Sequence, residues 1–171
     1  MNKTEFWRLI DSTHKDSAGD QDLQEAMLVS RLESYTPKEI VEFECVLRAY
    51  LIEADDAKIM AAQKVITGRV SDDSYLYFRC WLIGQGENVF TETIRNSDVL
   101  ADVVEDDVEY LEFELLMHVA TQAYEQRTGK QEDDEEEDAF PRNAAYKRGL
   151  DYDFGSATKG EYWTVEQLPI T

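Results

Sequence analysis

Three adjacent carboxylate pairs, Asp55-Asp56, Asp72-Asp73 and Asp106-Asp107, are the residues of this chain best suited to acid/base or divalent-metal chemistry. Neighbours on a helix project about 100° apart, so a pair cannot make a bidentate site alone; pairs from different helices would have to converge. Other reactive side chains are sparse. His14 and His118 are the two histidines and Cys45 and Cys80 the two cysteines, with no HExxH, CxxC or Cys/His spacing among them. No zinc, other metal or cofactor is expected from such a set. His118 stands four residues after Glu114 and four before Gln122, the spacing of a hydrogen-bonded histidine inside a helix. Gly84-Gln85-Gly86 follows a predicted helix instead of a strand, and it lacks the further glycine or Lys-Ser/Thr of a phosphate cradle. It reads as a helix-ending loop. With no serine in a nucleophile-elbow pattern and neither cysteine in an electropositive setting, catalysis is not expected.

Charge carries more information than any motif. The 171 residues include 17 basic and 37 acidic side chains, a formal charge of −20. Residues 96–138 hold sixteen of the acidic ones against Arg127 and Lys130, which places −14 of the −20 in a quarter of the chain. Asp102, Glu105, Asp106, Asp107, Glu109 and Glu112 belong to this stretch, as does the unbroken run Glu132, Asp133, Asp134, Glu135, Glu136, Glu137 and Asp138. One reading is a solvated helix face followed by an acidic linker. The other is an electrostatic docking surface for a basic partner. Nucleic-acid backbones and anionic membranes would be repelled by either.

The elements that must position these residues are helical. Asn2 with Glu5 predicts a capping box for a first helix carrying Phe6, Trp7, Leu9 and Ile10, and Asp20 a cap for a second carrying Leu23, Met27, Val29 and Leu32. Thr36-Pro37-Lys38-Glu39 satisfies three helix-start rules, after which Ile40, Phe43, Leu47, Tyr50, Leu51 and Ala54 trace a single stripe. A short helix over 58–66 ends at Gly68, Ser71-Asp72-Asp73 opens the next with Tyr75, Phe78, Trp81 and Leu82 on its buried side, and 87–95 forms another. The last long helix is predicted over 108–128, with Phe113, Leu116, Met117, Ala120, Ala123 and Tyr124 on one face. No sustained period-two alternation or hairpin signal occurs. The expected fold is all-α, with about six to seven helices in residues 1–129, an acidic linker over 130–138 and a partly ordered C-terminal tail over 139–171. Phe43, Leu47, Leu51, Phe78, Trp81, Leu82, Leu116 and Ala120 should share one core. The tail holds Tyr152, Phe154 and Trp163, aromatics that would dock on the domain or anchor a partner.

The residues Phe6-Trp7, Thr36-Pro37-Lys38-Glu39-Ile40 with Phe43, Ser71-Asp72-Asp73, Tyr77-Phe78-Arg79 and Trp81-Leu82-Ile83-Gly84-Gln85-Gly86 resemble a bacterial family known as domain of unknown function 4240, over roughly the first 130 residues. The resemblance implies a helical fold and transfers no catalytic residues. Where such sequences often carry a tyrosine or tryptophan in the fourth helix, this chain has Ile59-Met60-Ala61-Ala62, so no pocket lined there is carried over.

Absence of an apolar leader in the first residues and of any run of about 18 to 20 apolar residues points to the cytoplasm. Size, charge and lack of a recognisable active site together favour an acidic protein-binding module that is not an enzyme. An immunity or antidote protein neutralising a basic toxin or effector enzyme fits this best. Alternatives are a regulatory or scaffold module, and an enzyme or ligand-binding protein with a carboxylate and aromatic pocket. Partner contacts are expected at Asp102, Glu105, Asp106, Asp107, Glu109, Glu112, at 132–138, and at Tyr152, Phe154 and Trp163.

Overall fold

The first five helix starts are encoded as amide, hydroxyl or carboxylate side chains, and the fold uses each of them. In the computed structural model, which describes residues 1–104, 111–130, 140–151 and 159–160, Asn2 and Glu5 form the capping box of α1 (Lys3–Ser17). Asp20 caps α2 (Gln21–Leu32). Thr36 and Glu39 form a second box around Pro37 at the start of α3 (Pro37–Glu53). Asp56 caps α4 (Ala57–Thr67), which Gly68 closes in the left-handed conformation, and Ser71 caps α5 (Asp72–Gly84). After α6 (Glu87–Arg95) come a 3₁₀ turn, Ser97–Val99, and the single-turn α7 (Leu100–Val103). A second 3₁₀ turn, Glu114–Met117, leads into α8 (Val119–Thr128), and α9 (Asn143–Tyr146) follows. The fold is all-α, as the patterning predicts. Among the described residues the only β-type pairing is an isolated parallel bridge between Asp56 and Lys159.

The stripe read from α3 is buried along its whole length, and the eight predicted core residues belong to one hydrophobic cluster. Its aromatic centre joins α1, α3 and α6. Phe6 lies 4.9 Å from Phe43, Trp7 4.7 Å from Tyr50 and 5.3 Å from Phe90, ring centre to ring centre. The Trp7 indole N–H donates to the Tyr50 hydroxyl at 2.8 Å, which satisfies the polar edge of a ring buried for its apolar area. Gly84 is a close-approach position: a Cβ there would stand 2.7 Å from the Phe113 ring. Gly86 has φ +102°, and a side chain would collide with Asp11, whose carboxylate accepts the Glu87 N–H at 2.8 Å. The loop therefore joins α1 to the start of α6, a structural use consistent with a helix-ending turn.

Three expectations are corrected. Of the helix predicted over 108–128, the described residues are α-helical only from Val119; Leu111 to Phe113 has no helical structure, and Leu111 and Phe113 are both buried. Phe113 N–H donates to the Tyr77 carbonyl at 3.0 Å while its ring closes over Gly84, contacts that a continuous helix could not make. His118 is consequently an exposed residue at the head of α8, not a mid-helix one. Its expected neighbours are engaged elsewhere: Glu114 accepts from the Tyr77 hydroxyl at 3.0 Å and Gln122 donates to Glu25 at 2.7 Å. In α2 the buried face is Gln24, Leu28, Val29 and Leu32, and Leu23 is exposed. The helix is turned this way because the buried Gln24 amide donates to the Gly84 carbonyl at 2.9 Å.

Candidate functional site

At the corner between α3 and α4 an ionic centre is sealed inside the protein. Helix α5 is buried on almost every side, so Arg79 has no solvent face to reach and lies 0% exposed. One Nη donates to the Leu51 carbonyl at 3.0 Å and stands 3.7 Å from the Asp55 carboxylate, while the guanidinium lies 4.5 Å from the centre of the Tyr75 ring. The Tyr75 hydroxyl accepts the Asp56 N–H at 3.0 Å and faces the carbonyls of Ala54 and Asp56. Burial drives the Tyr75 pKa well above that of an ordinary phenol. Arg79 thus places a cation at the negative end of the α3 dipole, where carbonyls lack helical partners. Asp55 and Asp56 diverge as adjacent helix-end residues should, Asp55 inward to Arg79 and Asp56 to the α4 cap.

A second cation reaches the same helix end from outside. Lys159 donates through Nζ to the Ile52 carbonyl, and its own carbonyl accepts the Ala57 N–H at 2.8 Å. Upstream, Phe140 is buried edge-on against Tyr124, and Tyr146 of α9 lies 5.2 Å from the Arg48 guanidinium. Arg148 grips Glu42 of α3 with two hydrogen bonds of 2.6 and 2.8 Å. Those bonds hold the Glu42 carboxyl below its ordinary pKa. A depressed carboxylate stabilises fully above its unfolded value, near 4.5, and loses that contribution as pH falls through the folded pKa. An Arg148→Ala protein is therefore expected to be about 0.5 to 1 kcal/mol less stable than wild type at neutral pH. The gap should close under acid, which denaturant titrations across that pH range would test.

Neither thiol is set up for nucleophilic chemistry. Cys45 and Cys80 are free and buried, and burial pushes both pKa values up. Glu44 is also raised by burial even though Arg48 binds it at 2.6 Å. Tyr77 is pushed up to about 12 by burial and the neighbouring Glu114 carboxylate. Among the described residues no group of three or more His, Cys, Asp or Glu is placed to hold a metal ion.

Of the residues expected to contact a partner, Asp102 is exposed on α7 and Glu112 is half-buried beside Arg69, Ser71 and Ser74. Glu105, Asp106, Asp107, Glu109, the run 132–138, Tyr152, Phe154 and Trp163 lie outside the described residues. Sequence reasoning missed a surface next to this acidic stretch. A groove of about 400 Å³ runs between α4 and the turn leading into α7, lined by Lys58, Ala61, Ala62, Val65, Ile66, Ser97, Asp98, Leu100 and Ala101. Its wall is largely apolar, and Val65 is 67% exposed. The small Ala61 and Ala62 in the fourth helix are the sequence signal that would have located it.

Among the described residues no helix is long and apolar enough to cross a membrane. No curated protein and no solved structure matches the chain. The family described as "Protein of unknown function (DUF4240)" matches residues 1–126, from the first helix into α8 and including the Trp81 to Gly86 string, and the chain belongs to that family.

Proposed function

We propose that this protein is an acidic binding module that acts by occupying a basic partner, as an immunity or antidote protein neutralises a cognate toxin or effector enzyme, and not by catalysis. The observation that carries this reading is the concentration of −14 of the −20 formal charges in residues 96–138. A field of that size and sign raises the encounter rate with a cationic surface and disfavours nucleic acid and anionic lipid. Basic surfaces of this kind belong to enzymes that handle nucleotides or nucleic acids. Two unpaired, buried cysteines are consistent with work in the reducing cytoplasm. In this reading the acidic residues set the speed of association, and Tyr152, Phe154 and Trp163 slow dissociation.

The test begins with affinity purification from the native cell and identification of the bound protein by mass. Association is then measured at two or more salt concentrations, for wild type and for a variant with residues 132–138 changed to Gln and Asn. The variant is expected to bind about tenfold or more slowly at low salt, with a shallower salt dependence. Added salt should act because screening shortens the field to about 8 Å at physiological ionic strength. Co-expression should protect cells from the partner. An unchanged on-rate and salt slope would reduce the run to a solvated linker.

A further inference from the structure

In a chain of formal charge −20, residues 140–150 read FPRNAAYKRGL and carry three basic side chains and no acidic one. They lie beyond the family match, which ends at residue 126, and α9 packs on α3. Phe140 is buried at the root of this segment, edge-on to Tyr124. From there on the grip is at the surface. Tyr146, half exposed, lies over the Arg48 guanidinium, and Arg148, also half exposed, holds Glu42 with two hydrogen bonds. α9 is a single turn, too short to hold its shape in water alone, so its helix depends on the face it covers.

Under Tyr146 that face is ionic. Arg48 binds Glu44 four residues before it on α3, both are buried, and the charge of Arg142 acts on Glu44 as well. Taking such a pair out of water is costly, and apolar side chains of similar volume would make a cheaper permanent contact. Charged side chains suit a face that is uncovered part of the time. We propose that α9 and Arg148 are a resident pseudo-partner: they hold a site on α3 that takes a basic helical segment of another protein, bearing an aromatic residue and an arginine two positions on, and they yield it by lifting about Phe140. This rests on the reading of the protein as a module for a basic partner, and it names where that partner seats. The incoming segment supplies a ring to Arg48 and a guanidinium to Glu42, the contacts the resident segment makes. Lifting withdraws Lys147 and Arg148 from an already acidic domain, so the bare face attracts a cationic segment more strongly than the covered one. The resident segment is tethered, so a segment in trans binds weakly until the clasp is loosened.

Fluorescence anisotropy of a labelled peptide of residues 141–150, titrated with the full chain at low salt, tests the proposal. A shuffled peptide of the same composition measures unspecific attraction to so acidic a protein. Wild type should bind the native-order peptide weakly. Arg148→Ala loosens the clasp and should tighten binding about two- to fivefold, and Arg148→Glu, which sets a carboxylate against Glu42, about tenfold or more. Adding Glu42→Lys to Arg148→Glu restores an ion pair of reversed polarity, so binding should fall back to the wild-type level. Melting curves confirm that the variants are folded, and Arg148→Ala, at an exposed side chain, carries the test should Arg148→Glu unfold. If the variants bind the peptide no better than wild type, or the shuffled peptide binds as well as the native one, α9 is a fixed cover and the proposal fails. That result involves no partner, so it leaves the salt dependence of partner association standing as a separate test of the acidic docking reading. A captured partner that binds Arg148→Glu no more tightly than wild type docks elsewhere, which also overturns the proposal.

Discussion

An Arg79→Ala protein is expected to lose roughly 3 to 5 kcal/mol of stability, because removing one member of a buried ion pair strands the other. Asp55, 3% exposed, would lose its guanidinium neighbour, the Leu51 carbonyl its donor and the Tyr75 face its cation. In a chain of this size such a loss lowers the melting temperature by roughly 6 to 20 °C. Urea titration at neutral pH measures it directly. Arg79→Lys retains the charge but not the planar fork, so it should fall between wild type and alanine. Combining Arg79→Met with Asp55→Asn should recover part of the loss, since neither buried charge is then left alone. An alanine variant within about 1 kcal/mol of wild type would mean the centre is peripheral to stability.

Trp81→Ala is expected to cost roughly 3 to 5 kcal/mol, through lost transfer energy and the cavity left in a core that cannot collapse fully. The indole stacks on Phe78 with ring centres 5.5 Å apart and planes 21° apart, and only 6% of the residue is exposed. Trp81→Phe preserves much of the volume and should cost less. A Trp81→Ala protein of undiminished stability that had lost a binding activity would make this ring a surface anchor instead.

What was legible in the sequence was local. Caps at Asn2, Asp20, Thr36 and Ser71 depend on residues three positions apart, and the α3 stripe depends on one helical period, so each could be read without knowing the fold. The boundary of α8 was not legible in that way, because Leu111 and Phe113 alternate with Glu112 and Glu114 over too few residues to outweigh the helical pattern that follows. Tertiary contacts to Tyr77 and Gly84 decide it. Arg79 was missed for a related reason. In Tyr75 to Gly84 apolar residues surround the helix, which leaves an arginine no polar face, and that was the available sign that its charge is buried. The groove escaped because a cleft arises from what two helices fail to fill, and only Ala61 and Ala62 hint at it. As for the candidate partner surface, composition proposes a place for it along the chain and gives no shape.

The clasp joins Arg148 to Glu42, 106 positions apart in sequence, and Lys159 to Ile52, 107 positions apart. Both are exposed contacts at the edge of the core, so they are expected to form after the helices have packed, late on the folding route. Interactions missing from the transition state leave the refolding rate alone and act on the rate of unfolding. The return segment is therefore a kinetic latch: without it the helical core would assemble as quickly as before, but the native state would open sooner.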